Sequence, residues 1–234
     1  LNNQLPAIQE STRAGYIAWL KVSVPGWLVP GNIEAFTHAL GDLPKETAIV
    51  EIGSFCGLSA CVLSYIKTKL ALPHPFYTCD TWAFESLLWL ADDQPFFDST
   101  VLRHSDFKSY VRTSFQRNVL TFCQPDPPHS FELDSDNFFL HWSAQRELTD
   151  VFGQVSTLGG PIGFCYIDGN HTYPFARRDF ENADRHLAPR GYILFDDSGT
   201  NEWPDVARVA REVIESGRYE LISQNPHHLF RKKT

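Results

Sequence analysis

Residues 48–57 read Ala48-Ile49-Val50-Glu51-Ile52-Gly53-Ser54-Phe55-Cys56-Gly57: an apolar run broken by one acid, then a turn holding two glycines. A continuous apolar run is what a strand buried on both faces requires, and such strands belong to parallel sheets. Helical patterning follows, from Leu58 to about Leu70. Strand, glycine turn and helix make the opening unit of a doubly wound α/β domain.

The same alternation continues downstream. Phe76-Tyr77-Thr78-Cys79 reads as a second strand ending at Asp80, and Gly163-Phe164-Cys165-Tyr166-Ile167 as a later one ending at Asp168. A helix is expected from about Pro174, with Ala176, Phe180, Ala183 and Leu187 on one face. Tyr192-Ile193-Leu194-Phe195 is the next strand, ending at Asp196-Asp197. Val206, Val209, Ala210, Val213 and Ile214 then mark a helix with Pro204 near its start and Gly217 at its end. Tyr219–Ile222 and His228–Phe230, separated by the turn Ser223-Gln224-Asn225-Pro226, read as a closing antiparallel hairpin. The expected fold is therefore a doubly wound, mostly parallel sheet with one reversed strand near its edge.

Two regions are less regular. Residues 1–47 read as a helical cap: Tyr16–Leu20 is a short apolar run, and Asn32 is placed to cap a helix from about Ile33 to Leu40 with Gly41 behind it. This segment is expected to cover the mouth of the domain or to pack on the sheet. Residues 85–160 hold many aromatics, from Trp89, Phe96 and Phe97 to Phe138, Phe139 and Trp142. One strand is expected there, at Ser130-Phe131-Glu132-Leu133, with the remainder reading as a substrate-pocket insertion. With no repeat or linker, residues 1–234 are expected to form a single domain.

Composition limits the function classes. A formal charge of −8 without a clustered basic face argues against a nucleic-acid partner. No window approaches the ~18 apolar residues of a membrane span, and no charged start precedes an apolar run as in a signal peptide. Five cysteines without a C-x-x-C pair suggest buried, reduced thiols and a cytoplasmic setting. The chain starts at Leu1 and contains no Met, so its natural start is expected to differ. Homo-oligomerisation is left open.

Ligands of open parallel sheets bind at the carboxyl ends of strands, and the informative residues here lie at those ends. Glu51-x-Gly53-x-x-x-Gly57 differs from the dinucleotide G-x-G-x-x-G, whose helix N-terminus receives a pyrophosphate. A glycine loop with an adjacent acid suits a ligand carrying an amino-acid end, the acid placing its ammonium. Asp80, 23 residues after Gly57, is placed to accept ribose hydroxyls. The bland alternative is a tight turn plus a helix-capping Asp.

Glu51 through Gly57, Asp80, and the block Tyr166-Ile167-Asp168-Gly169-Asn170-His171 … Gly191-Tyr192-Ile193-Leu194-Phe195-Asp196-Asp197 together resemble class I S-adenosylmethionine-dependent methyltransferases. The resemblance runs over about residues 45–232, poorest in 85–160. It implies a seven-stranded Rossmann-like sheet whose last strand is reversed. It implies further that Glu51, Gly53, Ser54 and Gly57 line the methionine end and that Asp80 holds the ribose. Trp82 is expected to flank the adenine, and Asp134 and Ser135 to lie near its edge.

Asp168, Asp196 and Asp197 are expected at the ends of two neighbouring strands, where three carboxylates would repel one another unless protonated or bound to a cation. Oxygen donors suit Mg²⁺. Alternatively only one or two face the cleft. His171, three residues past Asp168, is placed to act as general base. The Asp168-x-x-His171 … Asp196-Asp197 pattern is similar to that of metal-dependent sugar O-methyltransferases acting on natural products, in which the acids hold Mg²⁺ and the histidine is the base. A related branch has an acid two positions after the first ligand, where this chain has Asn170. The expected reaction is methylation of a small-molecule hydroxyl, a natural-product sugar first and a catechol-type phenol second, with neither nucleic acid nor membrane as partner. Three alternatives stay open: an NAD-dependent oxidoreductase, a non-catalytic cofactor-binding scaffold, and a metal-dependent relative with another chemistry such as hydroxylation.

Overall fold

A computed structural model describes residues 10–83 and 101–234. The apolar runs become strands, named here in chain order. They are β1 (Ala48–Ile52), β2 (Phe76–Asp80), β3 (His129–Glu132), β4 (Glu147–Thr149), β5 (Val155–Thr157), β6 (Ile162–Ile167), β7 (Leu187–Phe195), β8 (Tyr219–Gln224) and β9 (His228–Lys232). The helices are α1 (Glu10–Ser23), α2 (Pro30–Gly41), α3 (Leu58–Lys69), α4 (His104–Phe122), α5 (Ser135–Ser143), α6 (Tyr173–His186) and α7 (Pro204–Glu215).

Seven strands form one sheet in the order β3-β2-β1-β6-β7-β9-β8. β9 runs antiparallel to both neighbours, and the other pairings are parallel. The chain leaves β1 toward β2 and β3 on one side and later fills β6 and β7 on the other. The order therefore switches between β1 and β6, where ligands of such sheets bind. The register makes the ends flush: Ile52 pairs with Cys79 and with Ile167, and Ile167 with Phe195. Gly53, Asp80, Asp168 and Asp196 therefore share one edge of the sheet.

Alternation along the strands sorts the core into two layers. Ile49, Phe164, Tyr166, Tyr192 and Leu194 face α1, α2, α3 and α4. Val50, Ile52, Cys165, Ile167, Ile193 and Phe195 face α5, α6 and α7. Burying a large apolar side chain contributes roughly 1.5–3 kcal/mol, so both layers are needed to offset the entropy of ordering the chain.

The N-terminal region departs from expectation. Tyr16–Leu20 belongs to the 14-residue α1. Asn32 does not cap α2: Val29 holds that position, Pro30 begins the helix, and Gly41 is its last residue rather than the one behind it. Proline is tolerated there because its missing N–H would be unsatisfied anyway. Asn32 is instead buried inside the first turn. Phe36 of α2 packs edge-on against Phe164 and Tyr166, so this segment lies on the sheet.

In the middle region the expected strand exists as β3, shifted by one residue. Phe115 of α4 and Phe138 and Trp142 of α5 are buried in the core, one helix on each face of the sheet. The small antiparallel ribbon β4–β5 was not foreseen, because three-residue strands of mixed polarity carry no periodic signal. Trp89, Phe96 and Phe97 lie outside the described residues. All five cysteines are buried and unpaired. Among the described residues no helix is long and apolar enough to cross a membrane.

Candidate active site

Glu51 lies in β1 with no exposed surface, and no hydrogen bond reaches either carboxylate oxygen. Burial pushes its carboxyl up to about 8, opposed by the Ser59 hydroxyl of α3. An uncompensated buried acid is costly, and a cation beside it would remove that cost. Gly53 follows at φ +83°, and a Cβ there would lie 1.9 Å from the Asp168 carbonyl oxygen. Only glycine lets the ends of β1 and β6 approach this closely. Gly57, at φ +90°, ends the loop where α3 begins.

Asp80 organises this loop. One of its oxygens accepts from the Ser54 and Phe55 amides at 2.7 and 2.8 Å, and the other from the Trp82 amide at 2.6 Å. Burial raises its carboxyl, and these three backbone bonds oppose the rise. Asp80 is thus tied into the glycine loop rather than capping a helix. Trp82 donates its indole N–H to the Phe55 carbonyl at 3.1 Å, and its buried ring packs against Phe115. Asp134 caps α5 by accepting from the Asn137 amide at 2.8 Å, and Ser135 donates to Asp179. A cleft of about 330 Å³ is lined by Arg112, Glu132, Leu133 and Asp150 among others; its lining among the described residues includes none of the acids at the β6 and β7 ends.

The second half of the site stands at the ends of β6 and β7. The three aspartates stand at neighbouring strand ends, and Asp168 interacts with both Asp196 and Asp197. They divide into two triads that share Asp197: Asp168 with His171, and Asp196 with His227. His171 Nε2 lies 2.9 Å from Asp197 Oδ2 and 4.0 Å from Asp168 Oδ1. Burial lifts the Asp168 carboxyl well above the usual range, and the charges of Asp196 and Asp197 lift it further. Burial also raises Asp196, with the nearby His227 pulling the other way. These acids are electrostatically frustrated as they stand, which is the condition a bound cation relieves.

Asn32, Trp203 and His227 are not expected at the site from the sequence. Asn32 donates its amide to Asp196 and, at 3.3 Å, to the Tyr166 hydroxyl. Tyr166 in turn donates to Asp168 at 3.3 Å. Trp203 stacks on His171 with ring centroids 4.2 Å apart. His227, in the turn between β8 and β9, brings Nδ1 to 3.6 Å from Asp196 Oδ1. A signal existed for Asn32 alone: a poor helix former among Ile33, Ala35 and Phe36. His227 depends on β9 pairing with β7, a long-range fact.

A methyltransferase-domain family model matches residues 50–198. No curated protein sequence matches the chain. Solved structures with the same fold include the O-methyltransferase NovP, at TM-score 0.56 and 13% identity, over 87% of this chain and 79% of that one. CalS11, a TDP-rhamnose 3'-O-methyltransferase of calicheamicin biosynthesis, aligns at TM-score 0.55 and 13% identity, over 97% and 95%. TomG from Streptomyces achromogenes, an O-methyltransferase of tomaymycin synthesis in complex with its methyl donor, aligns at TM-score 0.52 and 13% identity, over 98% and 93%.

Proposed function

The chain belongs to the methyltransferase-domain family, and from that membership we propose that it moves a methyl group from S-adenosylmethionine to a hydroxyl of a small molecule with the help of a divalent cation. One observation carries the reading. A buried, unpartnered carboxylate, Glu51, stands at the switch of the sheet, one strand from an acid–histidine cluster. The first suits the ammonium of the donor. The second suits a cation and a base.

In this reading Glu51 and the loop from Gly53 to Gly57, with Ser54, receive the amino-acid end. Asp80 shapes that loop through its three backbone bonds and offers its remaining lone pairs to the ribose. Trp82, Asp134 and Ser135 border the adenine. Asp168, Asp196 and Asp197 would hold the cation, and oxygen-rich donors fit Mg²⁺ or Mn²⁺. A cation there would lower the pKa of the acceptor hydroxyl.

His171 takes the hydroxyl proton at Nδ1, while Asp197, 2.9 Å from Nε2, accepts the Nε2 proton, orients the imidazole and stabilises its charged form. Trp203 covers one face of that ring and limits its motion. The acceptor oxygen forms its bond to the methyl carbon as the carbon–sulfur bond breaks, and the electron pair stays on sulfur. Positioning and exclusion of water account for the rest. CalS11 is a TDP-rhamnose 3'-O-methyltransferase, and NovP and TomG are O-methyltransferases. These neighbours support a sugar hydroxyl on a natural product as the first acceptor class to test.

Calorimetric titration with S-adenosylhomocysteine, with Mg²⁺ present and then chelated, tests the proposal. Saturable binding in both conditions is expected, together with methyl transfer that stops on chelation. NAD binding without S-adenosylhomocysteine binding would replace this reading with an oxidoreductase.

A further inference from the structure

His227 is not part of any motif, yet its side chain is 2% exposed and Nδ1 has no hydrogen-bond partner. That nitrogen faces Asp196 Oδ1 at 3.6 Å, too long for a direct bond. One ligand atom each from Asp196, Asp197 and His227 fall within 4.8 Å of one another. Adjacent ligands of an octahedral ion with bonds of about 2.1 Å stand about 3 Å apart, and opposite ones about 4.2 Å. Small side-chain shifts would thus bring all three onto one ion.

The turn that carries His227 is held from both sides. On one, a Cβ added to Gly31 of α2 would lie 1.5 Å from the Asn225 carbonyl oxygen. On the other, a Cβ at Gly199 would lie 1.5 Å from the Pro226 carbonyl oxygen. His228 adds two contacts to Ser198, through its amide at 2.8 Å and its ring at 2.9 Å. Asn32, one residue past Gly31, binds the other partner, Asp196. A buried imidazole without a hydrogen-bond partner is therefore clamped against a buried carboxylate that Asn32 already holds in place.

We propose that His227 is a nitrogen ligand of the cation held by Asp196 and Asp197, and that this makes the centre prefer Mn²⁺ or a similar first-row ion over Mg²⁺. The inference rests on the cation in the proposed function and adds its fourth side chain and its selectivity. Imidazole suits first-row transition ions, whereas Mg²⁺ prefers oxygen and keeps its waters. The two triads then divide the labour. His171 moves the proton, and His227 adds its nitrogen to the three aspartates that hold the charge.

Pulsed electron paramagnetic resonance of the full chain loaded with Mn²⁺ and S-adenosylhomocysteine reads this directly, through modulation from an imidazole ¹⁴N bonded to the ion. Wild type and His171→Gln are expected to show the modulation, and His227→Ala and His227→Gln to lose it. Mn²⁺ should bind wild type at least ~10-fold more tightly than Mg²⁺, and His227→Gln should narrow that ratio. If the His227 variants fail to fold, the signal surviving in His171→Gln still assigns it, because His171 is the other histidine of the cluster. Bound Mn²⁺ without ¹⁴N modulation, modulation lost in His171→Gln, or no Mn²⁺ binding would each overturn the proposal. Calorimetry with S-adenosylhomocysteine on the same samples reports the donor site separately. A failed metal result with intact donor binding therefore rejects this inference and leaves methyl-donor binding standing.

Discussion

The two halves of the site are built in different ways. At the donor half, Glu51, Gly53, Ser54 and Gly57 come from seven consecutive residues, and Asp80 fixes them through backbone amides. At the acid half, Asp168, His171, Asp196 and Asp197 are held by side chains from distant elements. Asn32 reaches Tyr166 and Asp196 across 134 and 164 residues of sequence. Backbone positioning tolerates changes of side chain but not of glycine. Side-chain positioning makes each partner matter and leaves the backbone free.

The contrast predicts separable losses. The largest should follow His171→Ala: turnover falls about 10²–10⁴-fold, while affinity for S-adenosylhomocysteine stays within about twofold. Equal losses in both would mean that the halves are not separate. Next comes Gly53→Ala, which places a methyl against the Asp168 carbonyl at a positive φ. A loss of about 3 kcal/mol or more of unfolding free energy is expected by denaturant titration, and a neutral result would remove the loop's strict geometry.

Glu51→Gln should do the reverse of His171→Ala. It deletes a charge-assisted contact of about 1.5–3 kcal/mol, so S-adenosylhomocysteine should bind roughly 10–150-fold more weakly. The smallest effect is on pH dependence. Glu51 titrates near 8 when folded against an ordinary value of 4.5, and Asp80, Asp168 and Asp196 are shifted in the same direction. At these four acids the folded state binds more protons than the unfolded state across that window, whereas the lowered His186 and His228 act in the opposite direction. The acids' contribution to the stability of the ligand-free protein falls as pH rises from about 5 to 8. A melting temperature several degrees lower at pH 8 than at pH 5 is expected, with a shallower decline in Glu51→Gln.

The sequence was most legible where the physics is local. The apolar run Ala48–Ile52, its glycines and the helix after it are one continuous signal, and the strand-ending Asp80, Asp168 and Asp196 mark the edge at which ligands bind. Asn32 was misread as a cap because capping and site roles use the same residue type, and only the packing of α2 on Tyr166 separates them. His227 was invisible because its meaning comes from β9 lying beside β7. The strand ends point to the three aspartates, but not to the two histidines that the fold places beside Asp197. Strand ends give the order of acids along the edge but not the directions of their side chains.

A crystal grown with S-adenosylhomocysteine and Mn²⁺, measured for anomalous scattering, tests the central claim most directly. The account predicts a manganese peak touching Asp196 and Asp197, with the ligand's ammonium against Glu51. A peak elsewhere, or a ligand whose amino-acid end avoids Glu51, would contradict it.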